Sequence, residues 1–545
     1  MKTGVFLRWI IEMTALLLLF SVTTSGQVQD AGMLRGRVLV KGREVPLKNA
    51  SVRIIQLRRE TQTGEGGCYE FKDVPAGSYD VAAHMHALLE DVEHVELAPG
   101  GIRVVDFHLD FANPHHEVVV TASSKESPLF DSFQAVTVMD PMDVAGRAAF
   151  GLGDVTEYLP GVAKRSFGPG SARPVLRGFD GDRVLVLANG LPTGTLSSQS
   201  GEHAEPVDAT NIDKIEIVKG PATLLYGSNA IGGVVNTITQ HHLIHEHPHA
   251  GLRAGLHVSG GSNNRQAAAG ANMELGLKNW LLWAGGRRQV AGDYRSPERR
   301  VDNSKTRLNS GHTGAGWFGQ KAHFTLGYAF NEGRFGVPFA GEFHHHLPDE
   351  TASVDEGKTL VDETFTWQSL QLGAGVRDPG AFVDGFRFSA GFVRWMHKEL
   401  EDDKAATSFD NKIWNFRGAF EQKRKGALSG SFGFQASYRD YTASGEEALT
   451  PPVTSKSFAL FALQEMDLKK ARLQFGGRLE YTGYSPAGLR ERSFAGFSGA
   501  AGIRLPLWEH GAFVANYTRA HRAPAMEELY NHGAHIGNLA YEIGD

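Results

Sequence analysis

Cysteine is nearly absent. Cys68 is the only one in 545 residues, so no intramolecular disulfide and no cluster of thiolates around a metal can form. Positive charge is not in excess either: the formal net charge is −6, which leaves out the basic footprint of a nucleic-acid binder. A phosphate-binding loop is missing, and long apolar runs are scarce. The one such run, Thr14 to Val22, follows Lys2 and Arg8 and precedes the small residues Ser25 and Gly26. It falls short of the about 20 residues that a membrane helix needs. Basic start, apolar run and small residues together read as a secretory signal peptide over 1–26, cut near Gln27. A chain with no other apolar span can enter a membrane only as a closed barrel. Two residue types are abundant, with 65 glycines and 23 histidines. Glycine without a collagen period fits a large β protein rich in tight turns, and the length calls for several domains.

Residues 34–110 read as a small antiparallel β-sandwich. Alternating stretches at Arg35–Val40, Ser51–Gln56 and Tyr79–Ala83 are separated by turn residues at Gly64–Gly67 and Pro75–Gly77. The succession Gly36-Arg-Val, Pro46-Leu, Ala50-Ser-Val, Gly67-Cys-Tyr-Glu-Phe and Val74-Pro-Ala-Gly-Ser-Tyr resembles the carboxypeptidase regulatory-like domain. That resemblance implies a docking module without a peptidase site. A linker, Asn113 to His116, leads to the apolar strand-former Glu117, Val118, Val119, Val120, Thr121 and Ala122, which has no evident pairing partner nearby.

Residues 127–240 form the next unit. Arg173-Pro-Val-Leu-Arg-Gly-Phe and Arg183-Val-Leu-Val-Leu-Ala-Asn-Gly-Leu-Pro read as strand, turn, strand. Ile212-Asp-Lys-Ile-Glu-Ile-Val-Lys-Gly-Pro-Ala and Leu225-Tyr-Gly-Ser-Asn-Ala-Ile-Gly-Gly-Val-Val-Asn follow. In this order and spacing the four blocks resemble the plug domain of TonB-dependent outer-membrane receptors. From residue 251 to 545 the texture becomes segments of about ten residues that alternate apolar with polar or small ones. Examples are Gly251–Ser259, Ala322–Phe330, Phe386–Met396, Leu428–Arg439 and Arg472–Thr482. This is the pattern of a transmembrane β-barrel, and the plug blocks favour it over a soluble sandwich or propeller. The expected fold class is mainly β: an N-terminal sandwich, a mixed α/β plug and an antiparallel barrel. Family barrels have about 22 strands, whereas the roughly 300 residues after the plug hold about 11 to 14 spans. The barrel is therefore expected to be C-terminally incomplete. The resemblance also implies that residues 117–122 are the box that pairs with TonB and its inner-membrane energising complex, by completion of an exposed strand. The expected location is the outer membrane of a Gram-negative-type bacterium.

Two pattern matches carry no chemistry. His245-Glu-His-Pro-His249 fits the zinc-protease pattern H-E-x-x-H, which needs both histidines on one helical face. Pro248 inside it and Gly251 after it oppose a helix. Gly314-Ala-Gly-Trp-Phe-Gly319 fits G-x-G-x-x-G but lies among barrel strands with no βαβ unit around it. No enzyme and no bound cofactor are expected.

The histidines are clustered. His241, His242, His245, His247 and His249 crowd the plug-to-barrel junction, and His344, His345 and His346 lie in a long loop with Glu342 and Asp349. Both clusters fit a solvated polar segment as well as weak metal capture, since imidazole suits zinc, copper, nickel and iron alike. His397, Glu399 and Glu401 recur at every second residue, so a strand would put them on one face. That face is either a solvated polar lumen wall or part of a zinc site. Gly201-Glu-His-Ala204 sets a carboxylate beside an imidazole in a plug loop, and Glu527, Glu528, His532 and His535 lie near the end of the sequence.

These stretches resemble the zinc-uptake branch of the TonB-dependent receptors, which more often has Asp where Glu202 stands here. Carried over by position, the resemblance implies a central site of Glu202, His203 and His535, with Glu399 chosen as the barrel carboxylate. His397, His344, His345 and His346 would be the outer capture set. The cargo expected is a transition-metal ion, zinc foremost, although intrinsic affinity would favour copper and nickel on the same ligands. The rival readings are a receptor for a siderophore, cobalamin or other metal chelate, and a surface sensor or adhesin.

Overall fold

The computed structural model describes residues 31–40, 45–57, 59–85, 91–109, 119–120, 127–128, 133–147, 149–208, 211–220, 222–239, 251–339, 360–445, 448–468, 470–508, 511–535 and 540–545. The signal segment, the histidines of 241–249 and those of 344–346 lie outside these residues. So does all of the 117–122 box except its central pair. The chain divides into two compact units, Met1–His116 and Glu117–Asp545.

The first unit is two sheets around one core. Strand Gly32–Val40 is the spine of the first sheet, with Val45–Pro46 and Cys68–Val74 antiparallel to it. The second sheet runs Arg59–Gln62, Ser51–Ile54, Gly77–His84, Asp91–Leu97. Alternate residues of the longer strands turn inward, and Leu34, Val38, Val52, Ile54, Phe71, Val81 and Phe107 fill the space between the sheets. One expectation needs correcting. Ile102–Val104 and Phe107–Leu109 run parallel to Gly32–Val40, so the sandwich is mixed and not purely antiparallel. The final crossover, which returns the chain alongside its first strand, is the reason.

The second unit opens with the pair Val119–Val120 and Ser127–Pro128, antiparallel to one another. The sequence alone offered the 117–122 segment no neighbour, yet the chain immediately after it supplies one. The plug sheet follows, in the order Ala135–Met139, Ile212–Lys219, Gly233–Thr239, Val184–Ala188, Leu191–Pro192. Short helices Pro141–Arg147, Leu152–Thr156 and Thr223–Tyr226 accompany it. Its core is Met139, Leu152, Val155, Ile215, Ile217 and Val235.

The rest is a sheet of 13 strands in sequence order, each antiparallel to the next, from Gly251–Gly261 to Gly511–Arg519. The stretch matching G-x-G-x-x-G falls within strand Thr306–Phe318 and its turn. Alternation decides what each face meets. Leu252, Leu256, Val258, Leu326, Phe458, Leu460, Phe475 and Leu479 point outward and are exposed, an apolar band suited to lipid. The opposite face packs on the plug. Trp367 Nε1 donates to the Thr193 carbonyl at 2.7 Å, Asn411 Nδ2 to Gly194 at 2.7 Å, and Asn189 Nδ2 to Gln371 Oε1 at 2.7 Å.

Strands Val383–Glu401 and Lys404–Lys425 show where the band ends. Their outward rings Phe392 and Trp414 lie 5.0 Å apart, and Trp414 and Tyr438 5.5 Å. Directly beyond come outward ion pairs, Arg394 with Asp410 at 2.9 Å and Lys412 with Asp440 at 3.8 Å. An aromatic girdle followed by charge marks the passage from hydrocarbon to water. It lies toward the long 337–360 connection, the side on which such barrels carry their outer loops.

Candidate metal site

The plug loop that follows Leu191–Pro192 is fixed by its own polar side chains. Ser197 Oγ donates to Glu205 Oε2 at 2.5 Å, and the Thr195 hydroxyl donates to the same oxygen. The Arg173 guanidinium pairs with Asp180 at 2.8 Å and reaches the Ser200 carbonyl at 3.2 Å. Gly201 lies so close to Phe167 that a Cβ there would sit 2.5 Å from the ring, which excludes any larger residue without movement. His203 stands at the end of this loop, 2% exposed. Its Nδ1 is 3.0 Å from the Leu196 carbonyl. A carbonyl only accepts, so Nδ1 carries the proton and Nε2 faces outward from the plug.

The barrel wall meets it there. Along Val383–Glu401 the inward residues Val393, Trp395, His397 and Glu399 are all buried, two of them apolar packing and two polar. His397 stacks on Phe409 of the next strand at 4.2 Å. A register shift in that pairing falls just after Glu399. Such a bulge re-aims the chain beside it. Glu399 Oε1 lies 3.3 Å from His203 Nε2 and 4.0 Å from His397 Nε2, and the two imidazole rings are 4.4 Å apart. Among the described residues these three form the one group of at least three possible ligands whose atoms all lie within 4.8 Å of one another. Two ligands of a tetrahedral zinc ion, each about 2.0–2.1 Å from it, are about 3.4 Å apart. The His203–Glu399 separation matches that spacing.

The two rings differ in readiness. Burial opposes charge on His203, but the Glu399 hydrogen bond and the charges of Glu202 and Glu399, with the Leu196 contact, outweigh it and hold the ring's pKa above its usual 6.5. The Glu399 contact thus favours a proton on Nε2, where a cation would bind. His397 Nδ1 accepts from the Trp395 indole N–H at 2.9 Å, while its Nε2 is buried without a hydrogen bond. A neutral ring so held carries its proton on Nε2, and ligation through that atom requires the Trp395 contact to be given up.

Glu202 is buried beside His203 and acts on it through charge, but it falls outside the 4.8 Å group. His535 ends strand His532–His535, which pairs with Ala540–Ile543; its side chain is outside the described residues. The sequence reading put His397 with the outer capture histidines, whereas the structure puts it in the central group. Stacking on Phe409 and the plug loop across the seam draw it there. Sequence reasoning passed over Gln199, Tyr441 and Asn531 and gave Glu527 no role; all four line a cavity of about 20 Å³ together with His203, Glu399 and Phe409. Gln199 Nε2 donates to Glu527 Oε1 at 2.5 Å, and Arg439 lies 3.4 Å from the same oxygen. Glu527 stood in a segment already noticed for its carboxylates, but no spacing rule could assign it to this cavity.

Comparison with known proteins then places the chain. The family model "TonB dependent receptor-like, beta-barrel" matches residues 245–545. The chain belongs to the TonB-dependent receptors. Residues 128–234 match the TonB-dependent receptor plug domain and 33–110 the carboxypeptidase regulatory-like domain. A vitamin B12 transporter, BtuB of Vibrio vulnificus (strain CMCP6), is 30% identical over 253 residues, 46% of this chain and 38% of its own length. A hemin receptor of Yersinia enterocolitica is 21% identical over 431 residues, 77% of this chain and 61% of that one. The chain thus spans less than two thirds of these receptors. Among solved structures, that of the copper transporter OprC superposes with a TM-score of 0.62 at 18% identity, covering 75% of this chain and 65% of the other; at that identity the likeness is one of fold. Receptors of this family with solved structures are outer-membrane β-barrels.

Proposed function

We propose that this receptor imports a free transition-metal ion, zinc foremost, across the outer membrane, with energy delivered through TonB. The carrying observation is the buried trio His203, His397 and Glu399, in which a plug imidazole and a barrel carboxylate stand 3.3 Å apart. Nitrogen and oxygen donors of this kind suit zinc and its neighbours. The ligands come from two bodies, so movement of the plug would dismantle the site and release the ion. The girdle and ion pairs support a site at the outer end of the wall, where cargo would arrive. On this reading Glu202 tunes the charge, His535 completes the shell, His344, His345 and His346 gather metal, and 117–122 engages TonB.

The cobalamin reading draws support from the identity with the B12 transporter. Against it, the cavity at the trio measures about 20 Å³, a space for an ion and little more. Metal analysis and competition binding on the full-length protein in detergent separate the two. Stoichiometric zinc that competes with nickel and copper ions, with no binding of cyanocobalamin or ferric siderophores, is the expected result. Cobalamin binding with no retained metal would overturn the proposal.

A further inference from the structure

Behind the plug loop that carries His203 lies a larger cavity of about 130 Å³, room for an ion with several waters. Thr195 and Glu205 of that loop line it, and so do Asp208 of the plug and His312, Asn331 and Ser369 of the barrel wall. Strand register fixes its depth. The level of His397 passes through Phe365 and Gly333 to Leu308. His312 stands four residues beyond Leu308, away from the outer end of the strand at Thr306, which is about 13 Å further inward at ~3.3 Å per residue.

His312 is 6% exposed, and neither of its ring nitrogens has a hydrogen-bond partner among the described residues. An imidazole buried in that way costs free energy. Gly285 lies opposite it in the preceding strand, and a Cβ there would come 2.5 Å from the ring, so only glycine leaves the ring its place. Asp208 Oδ2 is 3.7 Å from His312 Nδ1, slightly wider than the about 3.4 Å between two ligands of one zinc ion. The pairing repeats that of the trio with the bodies exchanged, a barrel imidazole against a plug carboxylate. Two further charges bear on it. Arg287, buried on the preceding strand, lies within the field of Asp208. The Glu205 carboxylate, held by Ser197 and Thr195, lines the same cavity.

We infer that His312 and Asp208 form a second, inner site for a divalent transition-metal ion, through which the ion passes after it leaves the trio. The inference rests on the import reading and extends it, since it says where the ion goes next. Imidazole and carboxylate suit the same cargo as the trio. The site has two protein donors, water for the rest of the shell and the positive charge of Arg287 nearby, so it holds an ion more weakly than the trio does. A station on a path requires this, for an ion held too tightly would not move on. Asp208 belongs to the plug, so displacement of the plug would open this pair too.

The test uses Zn²⁺ and the full-length receptor in detergent, with the trio disabled by His203→Ala and Glu399→Gln. Anomalous diffraction from crystals grown with Zn²⁺ locates the ion and tells this site from the surface histidines. A peak about 2.0–2.1 Å from a ring nitrogen of His312 is expected. It should vanish in His312→Phe, which keeps a ring over Gly285 and removes both nitrogens, and appear at several-fold lower Zn²⁺ in Arg287→Gln. No peak at His312 with Zn²⁺ in large excess, or a peak indifferent to both substitutions, would overturn the inference. In cells with the trio intact, His312→Phe should lower the maximal rate of zinc uptake about 10–100-fold, while the purified variant binds Zn²⁺ at the trio as wild type does. Uptake at the wild-type rate would make His312 a packing residue. Wild type that takes up no zinc would overturn the import reading itself, a result readily told apart from failure of His312 alone.

Discussion

At the scale of single residues, the site is governed by where two protons sit. His203 is held above its usual pKa, so over the lower range its Nε2 proton must leave before a cation can bind. The sign follows directly. Below the raised pKa each bound ion releases one proton, and affinity falls by about tenfold per pH unit. Above it the ring is free and affinity levels off. A competition titration against pH should level off above 6.5, and a plateau already reached below 6.5 would show that His203 is not a ligand. His397 is restrained differently, by the Trp395 N–H on its Nδ1. Trp395→Phe keeps a ring on Phe365 and removes that donor, so the proton of His397 can move to Nδ1. Zinc affinity should rise several-fold if His397 ligates through Nε2. An affinity unchanged by Trp395→Phe would assign His397 to packing and leave His203 and Glu399 as the paired donors.

At the scale of elements, the strand Val383–Glu401 does two jobs because its alternation is strict. Its outer side carries Phe392 and then Arg394, from lipid to water, while its inner side carries His397 and Glu399. On the proposed reading the 117–122 segment is the other working element. Its central residues pair weakly with Ser127–Pro128 over two positions, few enough for a partner strand to replace. Val119→Pro removes a ladder donor. Cells carrying it should lose zinc accumulation while the purified receptor binds zinc as before. Uptake at the wild-type rate would take this segment out of energy coupling.

At the scale of the whole molecule, the site belongs to neither plug nor barrel. His203 and Glu399 are 196 residues apart in sequence, and the hydrogen bonds that Trp367 and Asn411 donate to the plug and Gln371 accepts from it keep the two bodies in register. A shared ion should couple them energetically. His203→Ala and Glu399→Gln should each weaken zinc binding, and the double variant should lose less than the sum, by about 1–3 kcal/mol. Strictly additive losses would place the two residues at different ions.

The sequence by itself determined the architecture, since plug blocks, turn residues and period-2 alternation are local signals. It also singled out His203, His397 and Glu399 as residue types suited to a metal, because imidazole and carboxylate on one strand face can be read from spacing. It could not group them. His397 was assigned outward, and His312 and Asp208, which meet across the seam between barrel and plug, were not considered. Strand register and the seating of the plug are set by contacts between segments far apart in sequence. A single-residue slip would turn every inward side chain of a strand outward, so only the tertiary structure could decide which carboxylate meets which histidine.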